Sequence, residues 1–247
     1  MLFIKTFIAI LLGALLQSYA GFGFGLLVLP LLLFFNFDFP SAVITVVTGS
    51  AIQKIIAVKY FKDYFKWSEI KFLFLFGITG LPIGIFFLYK ASFLSGDTVK
   101  QIIGIAIFIT LLLRWSGLSG KKRDISPKWG YFAGFLSGIL NGFANIGGPP
   151  VVLWVLSHKW KNEKMRAMIL ALSLTFVPFQ IITMGFVFGK KLIIPFIHSL
   201  EMIPAVLIGS WIGLKLGDRL SEKKLVYFME IILMIIAFSA LVRPMFK

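Results

Sequence analysis

The chain has 247 residues, 59% of them hydrophobic and 14% charged; no soluble domain of this length covers so much apolar surface, so the composition points to an integral membrane protein. There is no cysteine, which excludes disulfides and thiolate metal centres, and the two histidines, His158 and His198, do not make a histidine-rich metal site. A net charge of +15 suggests nucleic acid in a soluble protein, but here Lys and Arg lie between apolar segments, the pattern of cytoplasmic loops.

In chain order, Lys5, an apolar run and "QSYAG" imitate a secretory signal. The uncharged stretch continues from Thr6 through Phe37, so cleavage is not expected. A membrane span needs about 20 helical residues. Uncharged or nearly uncharged stretches fall at 6–37, 39–60, 72–89, 98–113, 129–157, 167–189, 192–214 and 223–242. The third holds Gly77, Gly80, Pro82 and Gly84, which a membrane helix tolerates when packed against other helices. Between the fourth and fifth lies "RWSGLSGKKRDISPKWG", basic and turn-rich, which reads as a cytoplasmic linker over 117–128 between repeats at 1–116 and 129–247.

The two halves carry the same features in the same order. "GALLQSYAGFGFGLLVLP" opens the first and "GFLSGILNGFANIGGPP" the second; "GLPIG" at 80–84 returns as "GSWIG" at 209–213, and Gln53 has a counterpart in Gln180. The expected fold is an all-α membrane protein of two four-segment repeats, a plan common among transporters. The first segment of each half is too long for one span, at about 1.5 Å per residue across about 30 Å, and is broken by glycines near its middle. It either crosses as a broken span or returns to the side it entered. Basic residues favour the cytoplasmic side. If all eight segments cross, Lys and Arg divide 15 against 10; if the first and fifth both return, they divide 18 against 7. Returning the fifth alone gives 19 against 6 but breaks the match between the halves, so the expectation is two re-entrant units, six spans and halves of inverted topology.

Non-helical backbone at membrane depth survives where it is buried in protein or lines a wet cavity. In "NGFANIGGPPVVLWVL" a new helix is expected after the break, with Pro149 and Pro150 in its first turn, where no N–H is needed. Asn145 precedes it as a cap or ligand, and the N–H groups of Ile146, Gly147 and Gly148 are expected to be free. A helix N-terminus of this kind attracts anions. The first half offers Gly21, Gly23, Phe24 and Gly25 before its own apolar helix. Two such ends meeting at mid-membrane make a small-anion site, although glycines also serve simply to let helices approach.

These residues resemble the TauE/SafE sulfite exporter family of membrane transporters. "GFGFGLLVLPLL" (21–32) and "NIGGPPVVLWVL" (145–156) carry the resemblance, with "GLPIG" and "GSWIG" in support. It implies movement of sulfite, sulfoacetate and related sulfur-containing anions across the cytoplasmic membrane. Phe24 departs from the pattern, standing where a further glycine is common.

Other candidates follow from buried polarity. Gln53 and Gln180 are either donors to an oxyanion or partners in interhelical hydrogen bonds. Asn141, Ser18 and Tyr19 precede the breaks and are candidates to line the same cavity. Glu230, inside the last segment, is the candidate for a coupling proton. His198 and Glu201 share a helix face but align with the polar start of the third segment, so an interfacial place is expected. Lys54 follows Gln53 and is placed either to draw anions inward or, the commoner case and the one expected here, to reach the surface with its long stem. No Walker motif is present, so no ATP hydrolysis is expected; no nucleophile–base pair or metal cluster stands out for an enzyme, and no cofactor is implied. The reading is therefore a secondary transporter of small sulfur-containing anions, with a lipid bilayer and no nucleic acid as partner. A carrier of amino acids or cations is the alternative, and a homo-oligomer the assembly allowed for.

Overall fold

The computed structural model describes residues 1–115, 127–158, 160–217 and 222–242, all of whose regular structure is helical. The first half contains α1 (Leu2–Ala20), α2 (Phe24–Phe34), α3 (Phe39–Tyr60), α4 (Trp67–Ala91) and α5 (Gly96–Trp115). The second contains α6 (Pro127–Ala144), α7 (Gly148–Leu156), α8 (Asn162–Phe188), α9 (Ile193–Leu200), α10 (Ile203–Gly217) and α11 (Glu222–Val242). Residues 117–126 of the expected linker, including the basic run at 121–123, lie outside the described residues.

Both long first segments are broken where the glycines and asparagines predict. α1 stops at Gly21, whose φ of 83° places it in the left-handed region and whose N–H donates to Gln17 O at 2.8 Å. That is a left-handed helix cap, which glycine adopts without the clash a Cβ brings. α6 stops in the same way at Asn145, φ 54°, whose N–H donates to Asn141 O at 2.8 Å; asparagine is among the few other residues that visit this region readily.

After each break the chain turns back on itself. A Cβ added to Gly13 would meet Val28 and Phe24 on α2, and the Lys5 ammonium lies 5.9 Å from the centre of the Phe35 ring. In the second half Ser137 Oγ donates to Gly147 O at 2.7 Å, and Gly130 faces the Trp154 indole. Each broken segment is thus a hairpin whose two ends lie close together.

The seventh segment differs from expectation. The stretch 192–214 is not one helix but two, α9 and α10, divided by a turn at Glu201 and Met202. His198 and Glu201 are exposed beside that turn, 3.2 Å apart, in keeping with an interfacial place.

Helix pairing follows the small residues. α4 and α6 run parallel in close contact: the Cβ positions of Gly77, Gly80 and Gly84 fall on α6 or on Phe176, and those of Gly134, Gly138 and Gly142 fall on α4 backbone. α10 meets α1 in the same way, through Gly209 against Leu11 O and Gly213 against Leu15 O. Close backbone approach of this kind is how helices gain contact where lipid offers no hydrophobic drive. α5 and α11 pair antiparallel, with Gly104 beside Ala237 and Ala240, and Trp115 Nε1 donating to Glu230 Oε2 at 3.0 Å.

α3 lies at the centre, buried along most of its length. Asp38 caps it by accepting from Ser41 N–H at 3.3 Å, a common N-cap arrangement. Its buried hydroxyls return to its own carbonyls, Thr45 to Ser41 at 2.8 Å and Thr48 to Ile44 at 2.9 Å. The outer faces of α4, α5, α8 and α10 present Phe76, Phe86, Phe108, Phe186 and Trp211 outward, a surface that water does not tolerate and lipid does. Four helical stretches, Leu2–Ala20, Phe39–Tyr60, Trp67–Ala91 and Asn162–Leu200, are long and apolar enough to cross a membrane. The protein is a membrane-embedded, multi-pass, all-α structure.

Candidate functional site

The two breaks meet at the core of the molecule. A Cβ on Gly25 would lie 2.3 Å from Asn145 O, and one on Gly148 would lie 3.1 Å from Phe22 Cβ. The start of α2 is therefore pressed against the end of α6, and the start of α7 against the turn that follows α1. Between them lies a cavity of about 20 Å³, room for about one water. Gly21, Phe22, Gly23, Phe24 and Gly25 line one side; Asn141, Asn145, Ile146, Gly148 and Pro149 line the other; Gln17, Lys54 and Ser173 complete it.

Four helix ends converge here, two positive and two negative, and the protein treats them differently. One carbonyl near each negative end is held by a side-chain donor. Ser18 O accepts from Arg166, and Asn141 O accepts from Gln180 Nε2 at 2.6 Å. α8 supplies both donors. At the positive ends, the N–H groups of Phe24, Gly25, Leu26 and Gly148 make no hydrogen bond among the described residues. These are the donors that a helix N-terminus leaves open. The positive ends face the cavity, which no carboxylate lines; the Gln17 amide oxygen in the same wall is a buried acceptor without a hydrogen-bond partner among the described residues.

Several expected roles change. The Ile146 N–H is not free: it donates to Leu140 O at 3.2 Å. Gly147 does not line the cavity; the space beside it is filled by the Asn141 amide, 2.1 Å from where a Cβ would stand. Gln53 and Gln180 are buried away from the cavity and tie helices together, Gln53 Nε2 donating to Ser18 Oγ at 2.8 Å. Of the two roles open to them, the geometry shows interhelical hydrogen bonds. Tyr19 is buried outside the lining as well. Glu230 sits against Trp115 and is not part of the cavity wall.

Asn141 and Asn145 do line the cavity, but both amides are engaged, Asn141 Nδ2 with Ser137 Oγ at 3.3 Å and Asn145 Nδ2 with Ser50 Oγ at 2.9 Å. Phe24, the departure from the family pattern, is 1% exposed. Its ring fills a slot that exists because Gly13 and Gly49 have no side chains; a Cβ on either would stand 3.2 Å or less from it.

Gln17, Leu26 and Ser173 of the cavity wall were not singled out from the sequence. Gln17 stands four residues before Gly21, as Asn141 stands four before Asn145, so the match between halves pointed to it. Lys54 does not reach the surface: it is 3% exposed and lines the cavity.

No curated protein and no solved structure matches the chain. The family model for the sulfite exporter TauE/SafE matches residues 6–240, a span that takes in both breaks and every residue of the cavity wall, and the chain belongs to that family.

Proposed function

We propose that this protein is a secondary transporter of small sulfur-containing anions, sulfite or organosulfonates, in the cytoplasmic membrane. The observation that carries the reading is the sign of the cavity: two open helix N-termini face it, its neighbouring C-termini are capped by protein donors, and no carboxylate lines it. Helix N-termini at mid-membrane are a recurrent way to hold anionic groups. A carrier of cations or amines needs carboxylates at that place, and no carboxylate lines this cavity.

The helix arrangement supports two inverted repeats, 1–116 and 129–247. The hairpin of each half lies along a helix of the other, α1 on α10 and α6 on α4. With both hairpins returning to their side of entry, three further segments cross in each half. That odd number inverts the second half relative to the first. Ion pairs then fall at two ends: Lys191 with Asp38 at 3.6 Å on one, Lys164 with Glu69 at 2.7 Å on the other. The second end is the cytoplasmic one in the 18-to-7 division of basic residues. Rocking of one repeat against the other would open the cavity to each side in turn.

The test is flux. In proteoliposomes, radiolabelled sulfite should move at a rate that sulfate and sulfoacetate inhibit and that amines and divalent metal ions leave unchanged. Inhibition by amines or metals alone, with oxyanions inert, would overturn the reading.

A further inference from the structure

Lys54 raises a question that the anion reading leaves open. Its side chain is 3% exposed. It makes no ion pair or hydrogen bond among the described residues, and it lies in the cavity wall, where no acid faces it. Burying an ammonium without a partner is costly, and the chain offers no compensating charge at this place. Symmetry sharpens the point. Gln53 and Gln180 occupy matched positions and both bind across helices, but the residue after Gln180 is Ile181. A role in packing shared by the two halves does not call for a cation in one of them. The two N-termini together supply about one positive charge, and Lys54 adds another when an anion beside it holds it protonated, so the loaded wall offers roughly two positive charges against no negative ones.

We propose that Lys54 is the specificity-determining residue of this site, matching the cavity to a divalent oxyanion over a monovalent sulfonate. The inference rests on the anion-transport reading above. The helix N-termini hold one oxygen-bearing head in either case; the ammonium supplies the second charge, which only a dianion uses in full.

The full-length protein in lipid nanodiscs provides the test, with radiolabelled sulfite in mildly alkaline buffer as probe. Unlabelled sulfite and methanesulfonate are the competitors, since they share a three-oxygen head and differ by one charge. In the wild type, methanesulfonate should need about 10- to 100-fold more to compete, the size of one charge-assisted contact. Lys54→Gln should weaken sulfite by that factor and methanesulfonate by only a few-fold, closing the gap; any steric effect of the methyl group is the same in both proteins. Lys54→Arg should keep the gap open. A gap unchanged in Lys54→Gln overturns the assignment. So does equal competition in the wild type, a measurement that needs no variant to fold. A wild-type protein that binds neither anion overturns the transport reading itself.

Discussion

Gly147 and Gly148 are adjacent, chemically identical and indistinguishable in the sequence, and they do different things. At Gly147 a Cβ would stand 2.1 Å from Asn141 Nδ2 and 2.3 Å from Ser137 O, so any side chain drives the break apart from α6. At Gly148 the nearest atoms belong to the Phe22 side chain, at 3.1 Å and beyond, and the residue faces the cavity. Gly147→Ala should therefore lose folded protein, at the 1–3 kcal/mol scale of about one overpacked contact, while Gly148→Ala should insert at near-wild-type abundance and transport poorly. Membrane abundance and initial rate, measured together, check both; equal loss of abundance in the two variants would contradict the geometry. Asn145 shows the same limit of reading one residue at a time. It was expected as a cap or ligand, but its amide holds Ser50 of α3 and its backbone sits at φ 54°. An alanine there removes a tie between helices and strains the turn as well.

The α4–α6 pair shows how elements are chosen for each other. Gly77, Gly80 and Gly84 recur at the spacing of helix turns and signal a close contact, yet they do not name the partner. The partner is α6, whose Gly134, Gly138 and Gly142 interleave with them; the Cβ position of Gly138 lies 1.9 Å from Gly77 O. Gly138→Val should separate the helices and lower Tm measurably, with a loss of about 1–3 kcal/mol or more. Phe86→Ala, on the outward face of α4 at 54% exposure, should stay within about 0.5 kcal/mol. A Gly138→Val protein as heat-stable as the wild type would show that the two backbones are not in contact. At this scale the sequence also misled: the apolar run at 192–214 contains a turn that its hydropathy does not reveal, because a short amphipathic helix such as α9 and a buried span share the same residue types.

For the whole molecule, the hairpins decide the topology. If every segment crossed, the loops following α3 and α7 would lie on opposite sides of the membrane. With hairpins they share a side, the arrangement that accords with the contact between Lys164 and Glu69. The chain has no cysteine, so introduced ones report without background. In intact cells, Lys90→Cys should react with an impermeant thiol reagent, while Lys66→Cys and Lys161→Cys should both be protected. Reaction at one of the last two but not the other would restore eight crossings.

Composition, the period of the glycines and the broken apolar runs by themselves determined that this is an all-helical membrane protein whose long first segments break at two matched places. Those properties are local: they depend on the length of an apolar run, on which residues tolerate a left-handed turn, and on proline at the start of a helix. Tertiary structure alone decided which groups at those breaks remain available. The Ile146 N–H and the side-chain amide donors of Gln53, Gln180 and Asn145 all found acceptors, and Lys54, which the sequence placed at the surface, found none and stayed in the wall of the cavity. Whether a polar group is satisfied depends on what approaches it from elsewhere in the chain, and distances across a fold are not written in the spacing of residues along it.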